Sequence, residues 1–135
     1  MTTVHITRTL SAPVDRVWTA FADADALASW FWPPRLAPKV AADVRVGGEF
    51  RIDATAGGFA ASGTYQEVVP PTRLVMTWRW DGEDVDSLVT IELTARGDVT
   101  DLDLRHERLP SEQSRDEHAQ GWNDCLDRLP GWLAA

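Results

Sequence analysis

Apolar and polar residues change rhythm twice along this chain, and the changes divide it into three stretches. Thr3 to Leu10 alternates, with Val4, Ile6 and the aliphatic stem of Arg8 facing one way and Thr3, His5, Thr7 and Thr9 the other. A period of two predicts a strand, which Ser11-Ala12-Pro13 stops. Val14, Val17, Trp18 and Phe21 then recur at helical spacing behind Pro13, whose fixed φ suits a first turn, so residues 13–21 read as a short amphipathic helix. A second helix starts near Asp23 and carries Leu27, Trp30 and Phe31 on one side. It ends at Pro33-Pro34, because the residue before a proline is pushed out of the α region.

From Lys39 to Glu107 short alternating runs are separated by Gly47-Gly48, Gly57-Gly58, Pro70-Pro71, Asp81-Gly82 and Gly97-Asp98. This is the punctuation of successive hairpins and predicts a meander of about six strands. In Thr72 to Trp80, Leu74, Met76, Trp78 and Trp80 share one face while Arg73, Val75, Thr77 and Arg79 share the other. Val89, Ile91 and Leu93, then Leu102, Leu104 and His106, repeat the pattern, giving one apolar and one wet face.

Beyond Leu109-Pro110 the period returns to helical. Ser111 is placed as an N-cap, Glu112, Asp116 and Glu117 occupy the early turns where the helix dipole favours acids, and His118, Trp122, Cys125, Leu126 and Leu129 form the apolar stripe. A helix from Glu112 to Leu129 spans roughly 27 Å and a nine-residue strand about 30 Å, so the helix can lie across the whole sheet. Pro130-Gly131 is expected to end or kink it, with Trp132-Leu133 folding back as a lid, a core plug or a homodimer contact. The expected fold class is α+β, a curved antiparallel sheet of six to seven strands gripping one C-terminal helix, in one domain over residues 1–135.

Composition narrows the function classes. A chain of 135 residues that is 44% hydrophobic and 25% charged has the make-up of a globular protein. Its formal charge of −8 and the absence of a Lys/Arg run disfavour nucleic acid and anionic membrane surfaces as partners. No stretch has the length of a signal peptide or a membrane span, and Cys125 is the only cysteine, so a cytoplasmic location is expected. Seven tryptophans either fill a wide core or line a cavity.

The order of elements is similar to the helix-grip plan of the START-like (SRPBCC, Bet v 1-like) superfamily. Within it the chain resembles the branch called activator of heat-shock-protein-90 ATPase homologue-like. The resemblance rests on residues 11–18 (Ser-Ala-Pro-Val-Asp-Arg-Val-Trp), Trp30 to Pro34, Val46-Gly47-Gly48-Glu49-Phe50, Gly63 to Val68, Pro71 to Trp78, and His118 to Leu129 with Gly121-Trp122. It implies a hydrophobic cavity between sheet and helix of the kind that takes lipids, polyketides, hormones or other apolar molecules, with no cofactor. Fold alone does not name the ligand. The eukaryotic co-chaperones of the branch have an additional N-terminal domain for which this length leaves no room, which makes a chaperone ATPase the less expected partner.

Trp30, Phe31 and Trp32 at the end of the second helix are candidates for a pocket mouth, and Trp78, Trp80 and Trp122 for its walls, with Phe50, Met76, Ile91 and Leu104 as further ligand contacts. The same aromatics also fit a dense core. His106 shares a face with Leu102 and Leu104, and His118 points with Trp122 toward the sheet; either can serve as acid or base, or as a hydrogen-bonded structural histidine. Tyr65 is a third candidate acid. Cys125 and His118 lie about 10 Å apart along a helix, whereas a nucleophile and its base need roughly 3 Å. A metal site from His106, Glu107 and His118 lacks a compact ligand motif, and Glu107 faces away from His106.

Three functions compete. The first is binding of a small hydrophobic or aromatic molecule, for which no catalytic residue is needed. The second is a cyclase, dehydratase or hydrolase using His106, His118 or Tyr65. The third is a stress-response module that acts on a chaperone ATPase through its surface.

Overall fold

The computed structural model describes residues 1–135. Seven strands form one antiparallel sheet in the order β1-β7-β6-β5-β4-β3-β2. They are β1 (Thr2–Leu10), β2 (Pro38–Ala42), β3 (Glu49–Ala54), β4 (Phe59–Val69), β5 (Arg73–Trp80), β6 (Ser87–Arg96) and β7 (Val99–Leu109). Helices α1 (Val14–Ala22) and α2 (Ala24–Trp30) follow β1, a 3-10 turn at Pro34–Leu36 leads into β2, and α3 (Glu112–Leu133) closes the chain. β2 to β7 are the expected meander, since each strand pairs with its sequence neighbour; β1 then adds to the far side of β7. This is the helix-grip architecture.

Local chemistry sets the helix boundaries. The Asp23 carboxylate accepts from the Asp25 and Ala26 amides and caps α2, and the Ser111 hydroxyl accepts from the Ser114 amide at 3.0 Å to cap α3. α3 buries Trp122, Cys125, Leu126 and Leu129 against the inner face, where Leu74, Ile91, Leu93, Leu102 and Leu104 are also buried. Each large side chain removed from water there contributes about 1.5–3 kcal/mol. At the other flank Arg8 ties β1 to the helix, donating to Asn123 and Asp127 at 2.9 Å each.

Two expectations need correction. α3 does not stop at Pro130-Gly131 but runs on to Leu133, so Trp132-Leu133 forms neither a folded-back lid nor a plug. Proline removes one helical N–H and crowds the preceding turn, but tertiary contacts outweigh that loss. Arg16 of α1 lies 4.0 Å from the centre of the Trp132 ring and donates to the Trp132 and Ala135 carbonyls, while Trp132 and Leu133 pack at the edge of the core. The second correction concerns Val75, assigned to the wet face yet 3% exposed. Its cross-strand neighbours Glu67 and Thr90 flank it, and Arg73 bridges Glu67 and Glu92 on the same strands.

β4 leaves no room for a side chain beside β5 at Gly63. A Cβ there would overlap the Thr77 carbonyl oxygen and lie 2.8 Å from Cε1 of Phe50. The Thr64 amide donates instead to the Thr77 hydroxyl at 2.9 Å, so a side chain stands in for part of the ladder. Backbone cannot yield as a flexible side chain can. Gly63→Ala is therefore expected to cost about 1–3 kcal/mol or more, measured as a lower urea midpoint, whereas Gly121→Ala, where a Cβ meets nothing within 4 Å, should not.

Candidate functional site

Where the end of β5 meets the first half of α3, the sheet and helix diverge and leave an open cleft of about 600 Å³. Its aromatic wall comes from four places in the chain: Phe31 and Trp32 after α2, Phe59 at the start of β4, Trp78 and Trp80 on β5, and Trp122 on α3. Trp32 and Trp80 lie nearly parallel, with ring centres 6.1 Å apart and planes 14° apart. Polar groups from α3 and the β5–β6 connection form the rim, among them Asp81, Glu83, Gln113, Glu117 and His118.

His118, which lines the cleft, meets the buried His106 edge to face, their ring centres 4.8 Å apart. Each accepts an indole N–H. Trp122 Nε1 donates to His106 Nδ1 at 3.0 Å, and Trp80 Nε1 donates to His118 Nε2 at 2.9 Å. The remaining nitrogens must then carry the protons. His106 Nε2 donates to Ser87 Oγ at 2.6 Å, and the Ser87 hydroxyl donates to the Trp78 carbonyl at 3.0 Å. His118 Nδ1 donates to the Ser114 carbonyl at 2.6 Å. The two imidazoles are thus neutral and of opposite tautomer, with all four nitrogens engaged. Burial, reinforced by His118, pushes His106 down to about 3.

The candidate residues separate into two groups. Phe31, Trp32, Trp78, Trp80, His118 and Trp122 come together around the cleft. Trp30, Phe50, Met76, Ile91 and Leu104 lie in the packed core, and His106 is fully buried behind Trp122 and Trp78. Trp30 is fixed there by its indole N–H, which donates to the Ala20 carbonyl at 2.9 Å. Tyr65 packs against Phe50 away from the cleft, and burial raises its phenol to about 12. Trp78 Nε1 is the one buried side-chain polar atom without a partner. An unmet donor of that kind costs about 1–3 kcal/mol, so Trp78 is held by packing alone. No group of three His, Cys, Asp or Glu side chains is placed to hold a metal ion.

Sequence patterning gave no reason to select Phe59, Ser87 or Arg128. Phe59 opens β4 just beyond the Gly57-Gly58 turn and is 41% exposed. Arg128 looks like an ordinary surface charge on α3, yet it donates to the Trp30 and Phe31 carbonyls at 3.2 and 2.6 Å. It satisfies carbonyls left open at the end of α2 and so positions Phe31 and Trp32. Its Nη2 also lies 3.7 Å from Cys125 Sγ. Burial nevertheless raises the Cys125 thiol to about 12. Iodoacetamide at pH 8 is expected to leave Cys125 unmodified in the folded protein and to label it in urea, as read by intact mass; labelling at equal rates would contradict its burial.

The fold has counterparts among known structures. Protein CV1439 from Chromobacterium violaceum superposes with a TM-score of 0.82 at 32% identity, over 98% of this chain and 97% of that one. CalU16 from Micromonospora echinospora gives 0.79 at 35% identity over 97% and 75% of the two chains. PFC0360w, an HSP90 activator from Plasmodium falciparum, gives 0.79 at 25% identity over 99% and 97%. No curated protein sequence matches significantly. The family model described as Activator of Hsp90 ATPase homolog 1-like protein matches residues 11–134, and with nearly the whole chain covered, this protein belongs to that family.

Proposed function

We propose that this protein binds a small aromatic or apolar molecule in the cleft between β5 and α3. The observation that carries the reading is the wall of six aromatic side chains around a space of about 600 Å³, within the volume range of small-molecule sites. The histidines favour binding over turnover. Each imidazole nitrogen is already paired within the protein, so neither ring offers a free base to a bound molecule. DynU16, from the dynemicin biosynthetic locus, superposes with a TM-score of 0.85 at 25% identity, covering 98% of this chain and 47% of that one. A neighbour encoded in a biosynthetic locus fits a small biosynthetic molecule as the ligand here.

Native mass spectrometry of protein purified gently from its own host should retain a small molecule, and Trp80→Ala should release it. Absence of any retained mass, together with unmoved indole NMR resonances on titration with aromatic fragments, would end the proposal. Likeness to an HSP90 activator supports a second reading, a surface contact with a chaperone ATPase. It predicts a change in ATPase turnover on mixing, and unchanged turnover counts against it.

A further inference from the structure

The cleft is asymmetric in charge. Three carboxylates stand on its rim, and no lysine or arginine lines it. Asp81 is neutralised, because Arg51 grips both its oxygens at 3.0 and 2.7 Å. Glu83 and Glu117 have no such partner: neither side chain makes a hydrogen bond or an ion pair. They come from the β5–β6 connection and from α3, on two sides of the opening. Resting on the binding reading above, we propose that the cleft selects an aromatic molecule bearing a protonated amine, its ring against Trp32, Trp80 and Trp122 and its ammonium between Glu83 and Glu117.

Two physical effects act in the same direction. The faces of indole rings are negative and attract cations within about 6 Å of the ring centre. The Glu83 and Glu117 carboxylates are exposed, so each adds the modest, salt-screened Coulomb attraction of a surface charge. An anionic ligand meets the reverse. It would desolvate its carboxylate beside two like charges with no cation in the lining to compensate. The formal charge of −8 over the whole chain adds a weak, long-range bias of the same sign, which the test must separate from the local one.

Three probes with one ring system do this: 2-naphthylmethylammonium, 2-naphthylmethanol and 2-naphthoate, titrated into the intact protein and followed by the indole N–H resonances. The ammonium is expected to bind about tenfold tighter than the alcohol and the naphthoate weakest of all. Raising the salt to about 0.5 M should compress the series. Glu83→Gln with Glu117→Gln should bring the ammonium down to the alcohol, whereas Asp98→Asn with Glu107→Gln, the same change in net charge away from the cleft, should leave the preference intact. Equal affinities, a preference for naphthoate, or equal loss in both double variants overturns the charge selection while aromatic binding stands. If no probe moves an indole resonance, the charge selection and the binding reading fall together.

Discussion

His106→Ala is expected to lower the stability of the fold by about 3–5 kcal/mol, enough to shift the urea midpoint severely or to unfold a large fraction of the protein. Two losses add. Removing the imidazole from a site with no solvent exposure leaves a cavity bounded by Val89, Trp78 and Trp122. It also strands the Trp122 indole N–H, whose only acceptor is His106 Nδ1. Ser87 suffers less, because its hydroxyl keeps the Trp78 carbonyl. The asymmetry gives a sharper test than the single variant. Trp122→Phe removes the donor, so in that background His106→Ala no longer strands it, and the double variant should be more stable than the sum of the two single losses predicts. Strict additivity would mean that the Trp122–His106 bond contributes nothing.

Acid should destabilise the protein through the same residue. His106 takes up a proton near 6.5 in the unfolded chain but only at about 3 in the folded one. Above 6.5 neither state holds the proton and the stabilisation is fully present. As the pH falls from 6.5 toward 3 the unfolded chain binds a proton that the native chain refuses, and stability drops by roughly 1.4 kcal/mol per pH unit. The cause is burial first and the neighbouring His118 second. Carboxylates also titrate at the lower end of this range, so the diagnostic is a comparison. His106→Asn, whose amide oxygen can take the Trp122 bond, should lose less stability between about pH 7 and about pH 4.5 than the parent. Parallel pH profiles for the two proteins would contradict a buried neutral imidazole.

Much of this fold was legible because it depends on period. Leu74, Met76, Trp78 and Trp80 alternate with Arg73, Val75, Thr77 and Arg79 on β5, and a one-residue slip would turn those four inward side chains to the other face. The α3 stripe from Trp122 to Leu129 follows from helical geometry in the same way. The candidate site was only half legible. Phe31, Trp32, Trp78, Trp80, His118 and Trp122 were chosen because bulky side chains directed inward must pack or line a space, and these six surround the cleft. Phe50, Met76, Ile91 and Leu104 meet the same criterion and lie deep in the core. Alternation says which face a residue takes. It does not say how far along the sheet the helix begins to diverge.

The histidines draw the same boundary more finely. The positions of His106 on the inner face of β7 and of His118 on the inner stripe of α3 were set by the sequence alone, through local periodicity. That both accept from tryptophans, that Ser87 completes one of them, and that all four ring nitrogens are thereby taken came only from the folded chain, which brings β5, β6, β7 and α3 to one point. Pro130 is the converse. A local rule ends the helix there, and Arg16, more than a hundred residues earlier, carries it on by holding Trp132 and the last carbonyls. Period, caps and turns act within a few residues and are written in order along the chain. Hydrogen-bond partners and cleft walls depend on groups distant in sequence, whose pairing is decided only when the sheet closes on the helix.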